Sequence, residues 1–341
     1  MWVGEIDVHD DAQVKAFWEA GREADESGRE YPTYWSLRSA MVAFRAEGNS
    51  VEQHPLAAIE DGEVVGVNQV VFPLLDNTHI SYVEPLVPPS HRNRGVGSTL
   101  VRAALDLSRD AGRDTIVGQA NMPLDADSDG ARFLHKHGFS TAIVDLHRVL
   151  DLPVSTRRLT DLAVQAAPYH EQYRFVSFDD EVPDELMDGF CELQMAFNDE
   201  VPSGDLDIEA EMWDEDRVRK TEARLRKQGA HETRTVVLSS EGTMVALTEM
   251  KCADSKPEMA YQGGTLVLSP HRGHRLGLAS KVVNLRRFQQ RFPAVTTVHS
   301  WNAEENGPMG AINDVLGFRG VERLAEMQLK LDAEPGSPSG V

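Results

Sequence analysis

Apolar residues recur at helical spacing in two early stretches, as Val14, Phe17 and Trp18 within Asp10–Ala24 and as Leu37, Met41 and Phe44 within Tyr34–Glu47. That period predicts two amphipathic helices, the second bounded by Pro32 and by the Gly48-Asn49 pair. The pattern then turns extended. Pro55–Glu60 and Glu63–Phe72 flank Asp61-Gly62, which predicts a hairpin. His79–Val87 reads as a strand, Gly97–Ala111 as a helix ended by Gly112, Thr115–Gln119 as a strand, Gly130–His137 as a short helix and Thr141–Leu150 as a closing strand.

Asp151–Gln172, with Pro153 and Pro168, reads as a crossover holding a helical piece at Leu159–Ala166. The earlier order then repeats. Pro183–Asn198 and Glu209–Gln228 are expected helices, the second with Met212, Trp213 and Val218 inward, and Thr233–Ser239 and Thr243–Cys252 form a hairpin about Glu241-Gly242. Ala260–Leu268, Leu276–Arg291, Thr296–Trp301, Met309–Leu316 and Val321–Leu331 complete the second copy. The expected layout is a domain over 1–150, a linker over 151–172, a domain over 173–331 and a tail over 332–341 disordered by composition.

The most informative stretch is Leu86–Leu100, LVPPSHRNRGVGSTL. Pro88 and Pro89 stop a strand, Gly95 and Gly97 leave N–H groups uncovered where a helix begins, and Arg92 and Arg94 add positive charge, a combination suited to a phosphate. It occurs twice. Leu266–Ala279 reads LVLSPHRGHRLGLA, and an ungapped alignment places Arg272 on Arg92 and Gly277 on Gly97. Each copy continues into a helical stretch, a β-rich run with an Asn (Asn121, Asn302) and a Gly-Phe pair (Gly138-Phe139, Gly317-Phe318). So long a period indicates a duplicated domain.

Arg92-x-x-Gly95-x-Gly97 resembles the Q/R-x-x-G-x-G/A signature of the GNAT superfamily of N-acetyltransferases, whose loop wraps the pyrophosphate of coenzyme A. HRGHRLGLA, NDEVPSGDL and WNAEENGPMGAINDVLGF resemble segments of tandem, two-domain GNAT proteins of actinobacterial type. The resemblance implies an α/β (α+β) chain of two tandem GNAT domains, each a mixed, mostly antiparallel sheet flanked by helices, with a splayed parallel strand pair that holds the acyl-pantetheine arm. It further implies acetyl-CoA or another acyl-CoA as co-substrate, no metal, and transfer of a short acyl group to a small-molecule amine.

Carried over residue by residue, the resemblance marks Leu86, Val87, Arg92, Arg94, Gly95, Val96, Gly97, Ser98 and Asn121 as cofactor-binding in copy one. In copy two it marks Leu266, Val267, Arg272, His274, Arg275, Gly277, Leu278, Ala279, Asn302 and Asn306. Arg275 replaces Gly95, so its guanidinium either meets the pyrophosphate or closes the loop. The Tyr that commonly returns a proton to the thiolate is replaced by Leu134 and Asn313. Leucine donates no proton, which places the expected chemistry in copy two, with Glu249, Tyr261 and Asn313 as its catalytic candidates. The acidic Asn198–Leu206 segment, with Asp199, Glu200 and Asp205, falls where GNAT folds place a substrate-lining loop.

Composition narrows the partners. A chain of 341 residues suggests two cores, and 41% hydrophobic with 26% charged residues suits a globular protein. A net charge of −21 with dispersed Arg and Lys argues against a long nucleic acid and against an aminoacyl-tRNA donor, and acidic surfaces attract cationic amines. No apolar run is long enough for a bilayer and MWVGEIDVHDD lacks a signal-peptide layout, so the cytoplasm is the expected location. Cys191 and Cys252 suggest no disulfide framework or metal site, and His135 and His137 lack a third ligand. A monomer of two pseudo-symmetric domains and a homodimer both remain open, as does a non-catalytic CoA-binding or scaffold role for either domain.

Overall fold

The computed structural model describes residues 1–46, 50–200 and 202–331. The chain forms two compact units. The N-terminal one comprises Met1–Val144, Asp205–Ile208 and the described residues from Leu324 on, and the C-terminal one Asp145–Gly204 and Glu209–Arg323. In chain order the elements are β1 (Trp2–Glu5), α1 (Asp11–Glu26), α2 (Leu37–Phe44), β2 (Val51–Glu60), β3 (Glu63–Pro73), β4 (Ile80–Leu86), α3 (Val96–Asp110), β5 (Thr115–Met122), α4 (Asp129–Lys136) and β6 (Ser140–Asp151). There follow α5 (Thr156–Ala166), β7 (Arg174–Asp179), α6 (Met187–Glu200), α7 (Glu215–Gln228), β8 (Ala230–Leu238), β9 (Met244–Ala253), β10 (Lys256–Val267), α8 (Leu276–Arg291), β11 (Thr297–Ala303), α9 (Gly307–Leu316) and β12 (Arg319–Lys330).

The N-terminal unit orders its strands β1-β2-β3-β4-β5 followed by the second part of β12 and the first part of β6, and the C-terminal unit runs β7-β8-β9-β10-β11 followed by the second part of β6 and the first part of β12. Most neighbours are antiparallel; β4–β5 and β10–β11 are parallel. This is the mixed α/β arrangement expected from the sequence. The N-terminal sheet has one face under α3 and α4, through Val96, Leu100, Val101, Ala131 and Leu134, and the other under α1 and α2, through Val14, Phe17, Ala40 and Phe44. In the C-terminal unit α5, α8 and α9 cover one face, and α6 and α7 part of the other.

Several sequence expectations change. Residues 145–166 go with the C-terminal unit, because α5 buries Leu159 and Leu162 in the same cluster as Val282, Leu285 and Phe288. Residues 205–208 go with the N-terminal unit, where Asp205 N–H donates to the Ala142 carbonyl and Asp207 N–H to Gln328 Oε1. Helix α7 starts only at Glu215, since Asp214 caps it by accepting from Arg217 N–H at 2.8 Å, and Met212 lies outside it, exposed. Strands β1 and β7 escaped the sequence pattern, being short runs at sheet edges. Gly48-Asn49 and the tail 332–341 lie outside the described residues.

Candidate active site

In both units the parallel strand pair separates just before the glycine loop. Pairing of β4 with β5 runs Ile80↔Thr115 to Val83↔Gly118, and pairing of β10 with β11 runs Met259↔Thr297 to Tyr261↔His299. Beyond those residues Leu86 and Leu266 pair only with their antiparallel neighbours, Val67 and Leu247. The C-terminal cleft opens earlier because β10 carries one residue more. Val67↔Leu86 corresponds to Leu247↔Leu266, but Val70↔Val83 corresponds to Met250↔Gln262, and the extra residue makes a bulge between Gln262 and Thr265.

The loops share one backbone path. A 3-10 turn (Pro89–His91, Ser269–His271) leads to two left-handed residues, Asn93 and Gly95 in one copy and Gly273 and Arg275 in the other, and the second of each pair caps the following helix. Glycine tolerates that conformation most easily, so copy two has moved its glycine to the first position and accepts the cost at Arg275. Gly97 and Gly277 are closely packed. A Cβ there would stand 3.1 Å from Phe133 Cζ or from Ile312 Cδ1. No side chain caps either helix, so the N–H groups of its first turn stay available for an anion.

The signature arginines brace the loop. Arg92 Nε donates to the Val87 carbonyl at 2.9 Å and its terminal nitrogen to the Ala24 carbonyl, while Arg272 repeats this with the Val267 carbonyl at 3.1 Å and the Glu200 carbonyl and carboxylate. The carbonyls of Val87 and Val267 are therefore engaged within the loop. Glu200 also accepts from Ser269 N–H and Oγ, bonds that hold its carboxyl below the usual range. The side chains of Asn198 and Asp199, and Val201, fall outside the described residues. Arg94 pairs with Glu60 at 3.0 Å, and Ser98 bonds His137.

Arg275 adopts neither position expected of it. Its guanidinium lies over the Tyr169 ring at 4.1 Å and donates to the Gln165 carbonyl at 3.0 Å, and His274 bonds the Tyr169 carbonyl. Arg275→Gly relieves about 1 kcal/mol of left-handed strain but loses a cation–π contact and a hydrogen bond, each worth about 1 kcal/mol, so the C-terminal unit should lose about 1 kcal/mol of stability, and titration with acetyl-CoA should show no more than about a fivefold change. Calorimetric titration checks this; a tenfold loss would return the guanidinium to the pyrophosphate.

The two clefts differ in chemistry. In the N-terminal unit Val101, Leu134 and Ala120 lie in one buried apolar cluster. In the C-terminal unit the buried Lys281 Nζ donates to Asn313 Oδ1 at 2.8 Å, and Asn313 Nδ2 to Asn302 Oδ1 at 2.6 Å. Burial and the positive charge of Arg148 push the Lys281 ammonium down to about 7. Asn302 lies in the separated part of β11, so this chain of bonds reaches the cleft from the α8–α9 side. Asn306 instead caps α9, accepting from Met309 N–H. Leu278 and Ala279 are packed in the first turn of α8; Asn121 is half-buried on β5.

The opposite face holds Glu249 and Tyr261, which alternation separates from Met250 and Ala260 on the α8 face. Glu249 lies against the bulge, with Oε1 3.5 Å from where a Cβ on Gly264 would sit, and its Oε2 accepts from Arg234 Nε at 3.3 Å. Arg234 also pairs with Glu232, whose carboxyl burial pushes up to about 7 against the pull of Arg234. Gly264 corresponds to Glu84 of copy one. The Glu249 carboxylate thus reaches from β9 toward the place that Glu84 occupies from β4.

Glu84, Lys281 and a buried histidine pair, His147 and His299, were missed in the sequence. The available signal was an ionisable residue inside a largely apolar run, alone in ISYVEPLV and among Asp145, His147 and Arg148 in TAIVDLHRVL. Burial and the negative charge of Asp25 raise the Glu84 carboxyl to about 7, Arg29 opposing. The folded chain therefore binds more protons than the unfolded one between about pH 4.5 and 7, and this group's contribution to stability falls as pH rises through that window. Glu84→Gln should raise Tm relative to the parent above pH 7, with the difference vanishing below pH 4.5; an equal shift at all pH values would refute the raised value.

Among the described residues no cluster of His, Cys, Asp or Glu is arranged to hold a metal ion, and no helix is long and apolar enough to cross a membrane. His135 bonds the Phe139 carbonyl, and both cysteines are buried and free.

Comparison with known proteins agrees with this geometry. The model of the acetyltransferase (GNAT) family matches residues 15–139. No curated protein matches the chain significantly. Among solved structures the chain is similar to a tandem GNAT protein from the clavulanic acid biosynthesis pathway, with 23% identity over 98% of this chain and 99% of that one and a TM-score of 0.78. It is also similar to a GCN5-related N-acetyltransferase from Sphaerobacter thermophilus (17% identity, 97% and 96% covered, TM-score 0.64). A third is Saccharomyces cerevisiae N-myristoyltransferase, solved with bound myristoyl-CoA (11%, 98% and 81%, 0.57). These likenesses establish the fold.

Proposed function

We propose, from the premise that residues 15–139 form a GNAT-family acetyltransferase domain and that the chain has the tandem GNAT fold, that it transfers an acyl group, acetyl by family default, from acyl-CoA to a small-molecule amine. The carrying observation is the strand separation beyond Tyr261 and His299, which sets polar groups on both sides of one gap. Bound acyl-CoA would supply the thioester. Leu276, Gly277 and Leu278 N–H groups at the start of α8 face its phosphates, and the Lys281–Asn313–Asn302 chain stabilises negative charge on the departing sulfur. Glu249 accepts the N–H proton lost as the new C–N bond forms.

The N-terminal unit has an intact glycine loop with apolar residues where these groups would be, so it is read as a second cofactor site. Glu84, with its carboxyl near 7, supports a second reading in which that unit also transfers. Incubating acetyl-CoA and an amine panel with Glu84→Gln and Glu249→Gln separates the two. Loss of turnover only in Glu249→Gln supports the first reading, and loss only in Glu84→Gln supports the second.

A further inference from the structure

Strand β6 carries a carboxylate to which the rest of the C-terminal unit brings no donor. Asp145 pairs with Ala303 of β11, four residues beyond the last position at which β10 and β11 still pair, Tyr261↔His299. Asp145 is half-buried, and among the described residues its carboxylate makes no hydrogen bond or ion pair. Burial alone pushes the carboxyl up to about 6. The next ionisable side chain on the same face of β6, His147, is bonded through both ring nitrogens, to Glu322 at 2.8 Å and to His299 at 2.9 Å. Arg148 turns to the other face, where it pairs with Asp314. A carboxylate drawn this far out of water without a donor is costly unless a ligand brings one.

Alternation puts Asp145 on the face that holds Glu249 and Tyr261. His147, two residues on, stacks on Trp301 at 4.2 Å between centroids, and Trp301 lies 6.1 Å from Tyr261 with the rings 20° apart. The apolar cluster under α6 and α7 draws on β7, β8, β9 and β10 but on neither β11 nor β6, so those helices pack no apolar residues over Asp145. Across this face come Glu249, Tyr261, Trp301 and Asp145. Two carboxylates thus stand on either side of the gap, with aromatic rings between them. Copy one has Val117 and Gln119 where β11 has His299 and Trp301.

We propose that Asp145 selects the acceptor: the amine acetylated in the C-terminal cleft carries a second cation, an ammonium or guanidinium, which the Asp145 carboxylate binds. This rests on the acyl-transfer reading above and narrows its small-molecule amine to a dication. With the reacting nitrogen in the gap beside Trp301, strand spacing and rise put Asp145 roughly 7–10 Å away, a span that a short alkyl chain covers. Trp301 and Tyr261 line that span, and their rings suit both methylenes and a cation. The net charge of −21 draws a dication more strongly than a monocation. The covalent step is unchanged. The C–N bond forms, the C–S bond breaks with its electron pair going to the thiolate, and the N–H proton goes to Glu249, while Asp145 holds only the distal cation.

Steady-state kinetics with acetyl-CoA at pH 8 tests this by comparing cadaverine and agmatine, which carry a second ammonium or a guanidinium, with pentylamine, which ends in a methyl group. The unaltered chain should show at least about a tenfold higher kcat/KM for one or both dications than for pentylamine. Asp145→Asn should remove that preference by raising KM for the dication about tenfold or more, with kcat and the KM for pentylamine held within about twofold. Equal use of all three by the unaltered chain, or turnover confined to amines with a single cation, overturns the proposal whatever the variant does. A loss in Asp145→Asn that is the same for dication and pentylamine also overturns it, and each of these results leaves acyl transfer intact. An unaltered chain that acetylates no amine overturns the transferase reading and the proposal with it.

Discussion

Glu249→Gln is expected to lower kcat for acetyl transfer by about 10²–10⁴-fold while acetyl-CoA affinity stays unchanged. Glutamine keeps the size and the contacts with the Gly263–Gly264 bulge and Arg234, but has no basic oxygen for the N–H proton. The proposed cofactor loop is built from other residues, Ser269 to Ala279, so binding should be spared. Steady-state kinetics beside titration calorimetry reads both quantities. Wild-type turnover would reduce Glu249 to a partner of Arg234.

Gly97→Glu is expected to abolish acetyl-CoA binding in the N-terminal unit and to lower the stoichiometry of the whole chain from two to one. A side chain there starts 3.1 Å from Phe133 Cζ and 3.6 Å from Val87 Cγ2, and adds a carboxylate at the helix terminus meant to face phosphate. Retention of full stoichiometry would mean that this loop never held the cofactor. Gly277→Glu meets Ile312 in the same way and should remove the other site.

Local patterns were legible and long-range partners were not. Helix periods gave α1, α3 and α8 to within about two residues, and Asp61-Gly62 forms its turn with both residues left-handed. The loop was readable because its glycines and prolines impose a backbone on their own. The partners of its arginines were not, because Ala24, Glu200 and Gln165 are brought to Arg92, Arg272 and Arg275 only by packing. Nor could an ungapped repeat reveal the extra residue in β10, which places Glu249 where copy one has Glu84. The buried groups Lys281, His147 and His299 carry no motif, since each depends on partners far away in sequence.

Mass spectrometry of an amine panel incubated with acetyl-CoA and the wild-type, Gly97→Glu or Gly277→Glu chain tests the central claim most directly. The account predicts a singly acetylated amine from wild type and from Gly97→Glu and none above background from Gly277→Glu. Absence of product from every chain, or product kept by Gly277→Glu and lost by Gly97→Glu, would contradict it.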